Sequence, residues 1–271
     1  MPELPEVETT ARGIEPHLRD RRIERLALHQ PRLRWRVDPD LPRWVQGQSV
    51  LGVRRRAKYI VIHTTRGWLL VHLGMSGSLR ILPDSTTREK HDHFDLELDS
   101  RWTLRFNDPR RFGSLHHGDG DPLLHPLLAK LAPEPLEPAF NTDYLFRVTR
   151  RRRIAIKLAI MNSQLVVGVG NIYASEALFR ARIRPGRAAR SLTREECAAL
   201  VKAIKAVLTM AIRHGGTTLR DYVGAEGKPG YFKQKLFVYE RAGEPCRRCG
   251  KPVSHRNQGQ RSTYYCASCQ K

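Results

Sequence analysis

The last 26 residues hold four of the five cysteines, arranged as two CxxC pairs. Cys246 and Cys249 form the first pair and Cys266 and Cys269 the second, with sixteen residues between the pairs. Each pair can supply two thiolates to one ion, and four thiolates complete the tetrahedral shell of structural zinc. A full shell leaves no position open for a substrate, so the sequence predicts one structural zinc without a catalytic role. Cys197 falls in a helical pattern and is expected to be merely buried.

The segment between the two pairs, SHRNQGQRSTYY, is predicted to form a β-hairpin that carries His255, Arg256 and Arg261. Zinc would fix the base of this hairpin and leave its tip free to touch a ligand. A solvated basic loop without a ligand fits the same residues, and the sequence leaves both interpretations open.

The N-terminus offers a second reactive group. Pro2 follows the initiator Met1, and a small residue there normally permits Met1 removal, which would leave a free secondary amine. An α-amino group has a lower pKa than a Lys side chain, so more of it is neutral and nucleophilic at pH 7. Attack on an aldehyde-like carbon would give an iminium ion that promotes elimination. Glu3 and Glu6 are close enough in sequence to act as acid or base partners, although Pro at position 2 commonly marks only Met removal.

These groups need elements that hold them in place. Apolar residues from Val7 to Leu18 recur at helical spacing, so a helix is expected after the first extended residues, with Pro5 in its first turn. Between about residues 50 and 106, short β-branched and aromatic runs alternate with Gly, Pro, Asp and Ser. This spacing predicts the antiparallel strands of a sandwich or barrel.

The second half of the chain has a different pattern. The Pro-rich stretch 133–141 is predicted to be a linker, and helical segments follow it. In the longest of them Thr193 and Glu196 form a capping box, and Gly215–Gly216 ends the helix. The predicted fold class is therefore α+β, with strands in the first half and helices in the second.

The amino-acid composition limits the classes of molecule that this protein could bind. The 271 residues include 48 Lys and Arg against 27 Asp and Glu, a formal net charge of +21 at pH 7. This surplus indicates a polyanionic partner, because neutralising phosphates releases condensed counterions. A hydrophobic content of 40% argues against a disordered chain, and the lack of an 18-residue apolar run excludes a membrane span. The acidic start MPELPEVETT lacks the apolar core of a signal peptide, and the cysteine usage fits a reducing cytosol.

Several longer motifs occur in a fixed order along the chain. They are PELPEVET at 2–9, RRAKY at 55–59, HLGMSGSLR at 72–80, KHDH at 90–93, DPRRFG at 108–113, LVVGVGNIYASE at 165–176 and the four-cysteine ribbon. Together they closely resemble the bacterial formamidopyrimidine-DNA glycosylase family of bifunctional base-excision repair enzymes, over essentially the full length.

The resemblance implies an organisation and a partner. It implies a catalytic β-sandwich with flanking helices at 1–132, the linker at 133–141, a helix–two-turns–helix DNA-binding domain at 142–235 and a zinc ribbon at 236–271. Residues 216–231 would form a loop that closes over the extruded base. The partner would be damaged double-stranded DNA, bound by a cytoplasmic, nucleoid-associated monomer that uses no organic cofactor.

The resemblance also implies catalytic roles. Pro2 would attack C1′ of a damaged purine nucleotide, Glu3 would be the acid/base group beside it and Glu6 a supporting carboxylate. Lys58 would assist β-elimination and Arg261 δ-elimination, because a cation stabilises a departing phosphate.

The resemblance also implies residues that bind the DNA and fill the space left by the extruded nucleotide. Met75, Arg110 and Phe112 would fill the gap left by the extruded nucleotide, with Met75 and Phe112 as apolar wedges and Arg110 facing the orphaned base. The implied DNA-binding positions, Arg110 included, are His91, Arg110, Arg152, Lys157 and Asn171. The run RRRR at 150–153 replaces a more lysine-rich stretch but keeps the charge.

Two alternatives remain open at this stage. One is a sister enzyme like endonuclease VIII, which removes oxidised pyrimidines with the same nucleophile. The PELPEV start and the DPRRFG motif favour the purine-directed branch. The other is a catalytically inactive DNA-binding relative, against which the presence of Pro2, Glu3, Lys58 and Arg261 argues.

Overall fold

The computed structural model describes residues 2–216 and 232–271, and the chain divides into two compact units. The first unit holds the described residues up to Ala129 together with His214 to Gly216, and the second holds Lys130–Arg213 and Phe232–Lys271. Met1 and all of the predicted base-capping loop except Gly216 lie outside the described residues.

The first unit starts with helix α1 (Leu4–Leu18) and contains two four-stranded antiparallel sheets and a short helix, α2 (Leu41–Val45). One sheet has the order β1-β6-β7-β5 and consists of β1 (Ile23–Leu28), β5 (Ser78–Pro83), β6 (Asp92–Leu98) and β7 (Trp102–Asn107). The other has the order β2-β3-β4-β8 and consists of β2 (Val50–Arg56), β3 (Tyr59–Thr64), β4 (Trp68–His72) and β8 (Ser114–Gly118).

Both sheets and α1 bury their apolar faces in one core. Ile14 of α1, Leu26 and Phe94 of the first sheet, and Ile60 and Val71 of the second belong to the same hydrophobic cluster. Side chains alternate between the two faces of a strand, so each sheet offers one apolar face to the other. The predicted sandwich is confirmed.

The second unit is helical and ends in a ribbon. Its helices are α3 (Thr142–Thr149), α4 (Ile156–Met161), α5 (Asn171–Arg180) and α6 (Arg194–Arg213), and its hairpin consists of β9 (Ser254–Gln258) and β10 (Arg261–Tyr265). The predicted capping box of α6 is present, since the Glu196 N–H donates to Thr193 Oγ1 (3.2 Å) and the Thr193 N–H to Glu196 Oε2 (2.9 Å). Gly215 and Gly216 follow the helix with positive φ angles, as expected at a helix end.

The stretch 133–141 is more ordered than a simple linker. Phe140 is fully buried, and the Asn141 side chain caps α3 by accepting from the Tyr144 N–H at 3.0 Å. Prolines therefore direct this segment along the second unit instead of separating it from the fold. Within the described residues, the structure contains no helix long and apolar enough to cross a membrane.

Candidate active site and nucleic-acid interface

The N-terminus is fixed by two buried carboxylates. Pro2 is buried, and Glu3 and Glu6 are each 2% exposed. Glu3 caps α1 and forms a capping box with Glu6, whose Oε2 accepts from the Glu3 N–H at 2.8 Å. The helix begins at Leu4, so Pro5 lies in its first turn as predicted, and the two glutamates satisfy N–H groups at its start. Pro2 therefore directly precedes the capping box that the two predicted acid/base residues form.

An ion pair joins α1 to the turn that carries Lys58. Glu8 of α1 accepts from Arg55 Nε of β2 at 2.7 Å, and Arg55 also donates to the carbonyl of Ala57 at 3.0 Å. Burial alone would raise the pKa of Glu8, but the pairs with Arg55 and Arg12 hold it below its usual value. Lys58 follows Ala57 in the turn between β2 and β3 and is half-buried. The contacts of Arg55 thus fix the Lys58 turn relative to α1.

A neutral histidine lies beside Lys58. Burial, together with the charges of Lys58 and Arg34, lowers the pKa of His72 to about 4. Its Nδ1 accepts from the Gly74 N–H at 3.0 Å, which leaves the ring proton on Nε2 at neutral pH. His72 thereby connects the end of β4 to the Met75 loop. Its position inside the HLGMSGSLR motif was the only sequence signal for this role.

The three predicted void-filling residues lie on two neighbouring loops. Met75 lies half-buried in the loop between β4 and β5, whereas Arg110 and Phe112 are exposed in the loop between β7 and β8. The Arg110 guanidinium lies over the Phe112 ring, 5.0 Å from its centroid. Arg111 between them has a left-handed φ of +55°, a reversal that lets the flanking side chains come together. Phe112 is 43% exposed, so its ring is accessible to a ligand at the surface of this loop.

His91 borders a basic pocket of about 460 Å³ in the first unit. Its lining includes Arg88, Lys90 and Arg111, which sequence reasoning did not single out. Glu89 and Asp92 line the same pocket, but Asp92 pairs with the buried Arg105. Positive charge therefore prevails beside His91 and supports an anion-binding surface.

The second unit holds its hairpin against α4 and α5. Lys157 is fully buried, and its Nζ donates to the Ser262 carbonyl (2.9 Å) and to Thr263 Oγ1 (2.8 Å). Asn171 Nδ2 donates to the same Ser262 carbonyl at 3.0 Å. In this structure the Lys157 ammonium is buried and is used to hold the hairpin. The DNA-binding role that the resemblance implies for Lys157 stays a prediction.

The hairpin tip is exposed, although it passes close to α4. It reverses through Gly259 and Gln260, which both have positive φ, and a Cβ on Gly259 would lie 3.1 Å from the Leu158 side chain. Arg261, the residue next to this turn, is exposed, and so is Arg152 in the segment between α3 and α4. Both remain available to touch a ligand.

The four predicted metal ligands converge. The sulfurs of Cys246, Cys249, Cys266 and Cys269 all lie within 4.8 Å of one another, with 3.5 Å between Cys249 and Cys266. Zn–S bonds of about 2.3 Å in a tetrahedron place sulfurs about 3.8 Å apart, so this set fits one zinc ion. The site therefore holds one structural zinc, as the spacing predicted.

The ribbon has a small core of its own. Cys246, Cys266, Val238 and Val253 pack against Phe179 of α5. Gln270, 1% exposed, links the second cysteine pair to the helices by accepting from the Cys266 N–H and donating to the Ile183 carbonyl. So few apolar residues cannot maintain the ribbon without metal.

Removing the zinc is expected to unfold the ribbon and to lower DNA affinity at least about tenfold, because Arg261 loses its support. Fluorescence anisotropy with a labelled duplex, paired with a zinc assay after chelation, measures both effects. Cys197→Ala is the matched control, since this buried cysteine of α6 is not a ligand and its variant should keep one zinc per chain. Unchanged affinity in zinc-free protein would contradict the expectation.

One buried carboxylate escaped the sequence reasoning. Glu176 of α5 accepts from the backbone N–H groups of Phe237, Val238 and Tyr239 at 2.9, 2.9 and 3.0 Å. Burial raises the pKa of Glu176 even though these three bonds oppose that change. The carboxylate fixes the chain that leads into the ribbon, and the LVVGVGNIYASE motif that ends with it was the available signal.

In the first unit, Pro2 and two buried glutamates precede a β-sandwich. The second unit combines helices with a four-thiolate ribbon. These features together define the zinc-ribbon class of DNA glycosylases. Three family models match in order: the formamidopyrimidine-DNA glycosylase N-terminal domain (residues 1–115), its H2TH domain (131–223), and the zinc finger found in FPG and IleRS (243–271). The chain belongs to the formamidopyrimidine-DNA glycosylase family.

Individual relatives are similar to this chain over essentially its full length. The formamidopyrimidine-DNA glycosylases of Thioalkalivibrio sulfidiphilus and Pectobacterium carotovorum are 58% and 55% identical, covering all of both chains. The crystal structure of the MutM (Fpg) protein from Thermus thermophilus superposes with a TM-score of 0.90 at 39% identity, over 99% of this chain and 98% of that one. The structure of a Lactococcus lactis Fpg bound to abasic-site DNA superposes with a TM-score of 0.93 at 32% identity, over 99% of both chains.

Proposed function

We propose that this chain removes oxidised purines, such as 8-oxoguanine and formamidopyrimidines, from duplex DNA and then cleaves the abasic strand. The observation that carries this proposal is the buried start of the first unit, where Pro2 leads directly into the Glu3–Glu6 capping box. Solved structures of the Lactococcus lactis Fpg contain abasic-site, Fapy-dG and oxidised-pyrimidine DNA, which supports damaged duplex DNA as the substrate here and includes the purine lesion Fapy-dG. The enzyme is a DNA glycosylase and abasic-site lyase of base-excision repair.

Pro2 begins the reaction once Met1 is removed. Its nitrogen lone pair forms a bond to C1′, the glycosidic bond breaks, and the bonding electrons leave with the base, which takes up a proton. Glu3 protonates the sugar ring oxygen, so the ring opens and an iminium forms between Pro2 and C1′. Glu6 supports this step by fixing the backbone of Glu3.

Elimination follows from the iminium. It withdraws electrons from C2′, so the Glu3 carboxylate, which has given its proton to the ring oxygen, takes a C2′ proton as the 3′ phosphate leaves. Loss of the C4′ proton to water then expels the 5′ phosphate. Lys58 assists the first departure and Arg261 the second, because each supplies a cation for the leaving phosphate. Water adds to the remaining iminium carbon, and breakage of the bond between that carbon and the Pro2 nitrogen frees Pro2 and releases the sugar fragment as an aldehyde.

The damaged nucleotide must leave the helix before Pro2 can reach it. Met75 and Phe112 fill the vacated space as apolar wedges, and Arg110 directs its donors at the orphaned base. The exposure of Phe112 and its contact with Arg110 support this assignment.

Phosphate contacts divide into direct and indirect ones. His91 and Arg152 meet the backbone directly, the former from its basic pocket and the latter from an exposed position. Lys157 and Asn171 act by positioning the hairpin through the Ser262 carbonyl, which places Arg261. One chain carries every proposed catalytic and metal-binding residue, which supports a monomer, and the charge of +21 supports residence on nucleoid DNA in the cytoplasm.

Excision on two matched duplexes tests the proposal. We expect 8-oxoguanine opposite cytosine to be removed at least roughly tenfold faster than thymine glycol opposite adenine, because a site that reads polar groups rejects an ill-matched base strongly. Faster removal of thymine glycol would instead assign the chain to the pyrimidine-directed activity. No excision of either lesion by zinc-loaded protein would refute the enzyme assignment.

A further inference from the structure

The two void-filling loops converge on one buried carboxylate. Asp108, which follows β7 and has no exposed surface, accepts three hydrogen bonds. Its Oδ1 accepts from Ser76 Oγ at 2.7 Å and from the Arg110 N–H at 3.2 Å, and its Oδ2 accepts from the Gly113 N–H at 2.8 Å. Ser76 adjoins Met75, whereas Arg110 and Gly113 bound the loop that carries Phe112. One side chain therefore holds both loops.

The backbone of Asp108 is equally constrained. Its N–H donates to the His91 carbonyl at 3.0 Å, and its own carbonyl accepts from His93 Nε2 at 2.7 Å and from the Arg111 N–H at 3.2 Å. These bonds fix the root of the loop to the start of β6. The carboxylate consequently has a defined position from which to hold the two loops.

Direct backbone contact makes the loops interdependent. Gly74, beside Met75, has a φ of +67°, and a Cβ added there would lie 2.5 Å from both Gly113 N and Phe112 C. Only a residue without a side chain permits this approach. Movement of one loop therefore displaces the other.

We infer that Asp108 is a positioning residue that makes Met75, Arg110 and Phe112 act as one rigid reader of the nucleotide opposite the lesion. This inference rests on the proposed function of those three residues. A carboxylate only accepts hydrogen bonds and forms stronger ones than a neutral acceptor, so it suits a site where two N–H groups and a hydroxyl meet. Ser76 transmits the constraint to the Met75 loop.

The consequence concerns recognition of the opposite base. Arg presents only donors in a fixed fork. The Watson–Crick edge of cytosine offers two adjacent acceptors, whereas that of adenine pairs one acceptor with an amino donor. A rigidly placed Arg110 therefore favours cytosine, and a loosened loop lets its guanidinium adapt to either base.

The test compares kcat/KM for 8-oxoguanine opposite cytosine and opposite adenine in Ser76→Ala and Asp108→Asn. We expect the cytosine-to-adenine ratio to fall roughly tenfold in Ser76→Ala, the cost of losing one hydrogen bond to a charged acceptor. The matched control is Ser114→Ala, because Ser114 adjoins Gly113 and its buried hydroxyl has no partner among the described residues. That variant should keep the wild-type ratio.

A second arm separates coupling from general loosening of the fold. Met75→Ala should lower the ratio in the wild-type background and lower it clearly less in the Asp108→Asn background, since an amide there has one oxygen and cannot accept from all three donors. Equal melting temperatures for Ser76→Ala and Ser114→Ala would show that the fold is intact. A wild-type ratio near one, or an unchanged ratio in Ser76→Ala, would overturn the inference alone, whereas a wild-type chain that excises no 8-oxoguanine would overturn the proposed function.

Discussion

Blocking the Pro2 nitrogen is expected to abolish covalent chemistry. One additional residue before Pro2, which cannot be processed away, converts its amine to an amide whose lone pair is delocalised into the carbonyl. We expect borohydride trapping of the enzyme–DNA adduct and base excision to fall by at least about 10³-fold, because the nucleophile and its covalent intermediate are lost together. Denaturing gels of lesion duplexes treated with borohydride measure the adduct, and intact mass establishes which residue begins each chain.

The extended chain also supplies the control for folding. Glu3 and Glu6 cap α1 independently of the Pro2 nitrogen, so the helix should form, and zinc content should remain one per chain. Affinity for an uncleavable abasic-site duplex should fall only slightly by comparison. A chain that retains its first methionine and still excises lesions at the wild-type rate would exclude Pro2 as the nucleophile.

Local chemistry explains which features the sequence could predict. The four thiolates lie within 23 residues of one another, and a tetrahedral ion imposes nearly one geometry on two CxxC turns. The α6 capping box likewise depends on residues three apart, Thr193 and Glu196. The alternating apolar pattern similarly predicted a sandwich, because each strand must bury one face.

Long-range contacts explain what the sequence could not predict. Lys157 finds its partners Ser262 and Thr263 more than a hundred residues away, and no local pattern indicates that a lysine will be fully buried. The motif resemblance named Lys157 as a DNA-binding position but gave no sign of its contacts within the fold. In the folded chain its ammonium donates to a carbonyl and a hydroxyl of the ribbon hairpin.

The same limit applies to acidic residues. Glu176 and Asp108 both lie inside recognisable motifs, yet their acceptor roles appear only when distant N–H groups converge on them. Each satisfies backbone donors that would otherwise be buried without partners, a requirement set by the tertiary fold. For Glu3, the sequence shows that it follows Pro2, but it does not show that the side chain is buried.

Glu3→Gln separates the capping role of Glu3 from its acid role. The Gln side chain keeps a carbonyl oxygen that can accept from the Glu6 N–H, so α1 should retain its cap and the variant its melting temperature. An amide cannot deliver a proton, so excision should fall by about 10²–10⁴-fold, the usual contribution of a positioned general acid. Single-turnover excision of 8-oxoguanine, with anisotropy to show unchanged DNA binding, measures this difference.

Glu15→Gln is the matched control on the same helix, because Glu15 is partly exposed and pairs with Arg19 near the end of α1. Loss of a pair this exposed should change neither excision nor melting temperature measurably. Glu3 differs in being buried beside the reactive nitrogen, where water cannot readily substitute for it as a proton donor. Undiminished excision in Glu3→Gln would therefore show that another group protonates the sugar, and would leave Glu3 with a purely structural role as the N-cap of α1.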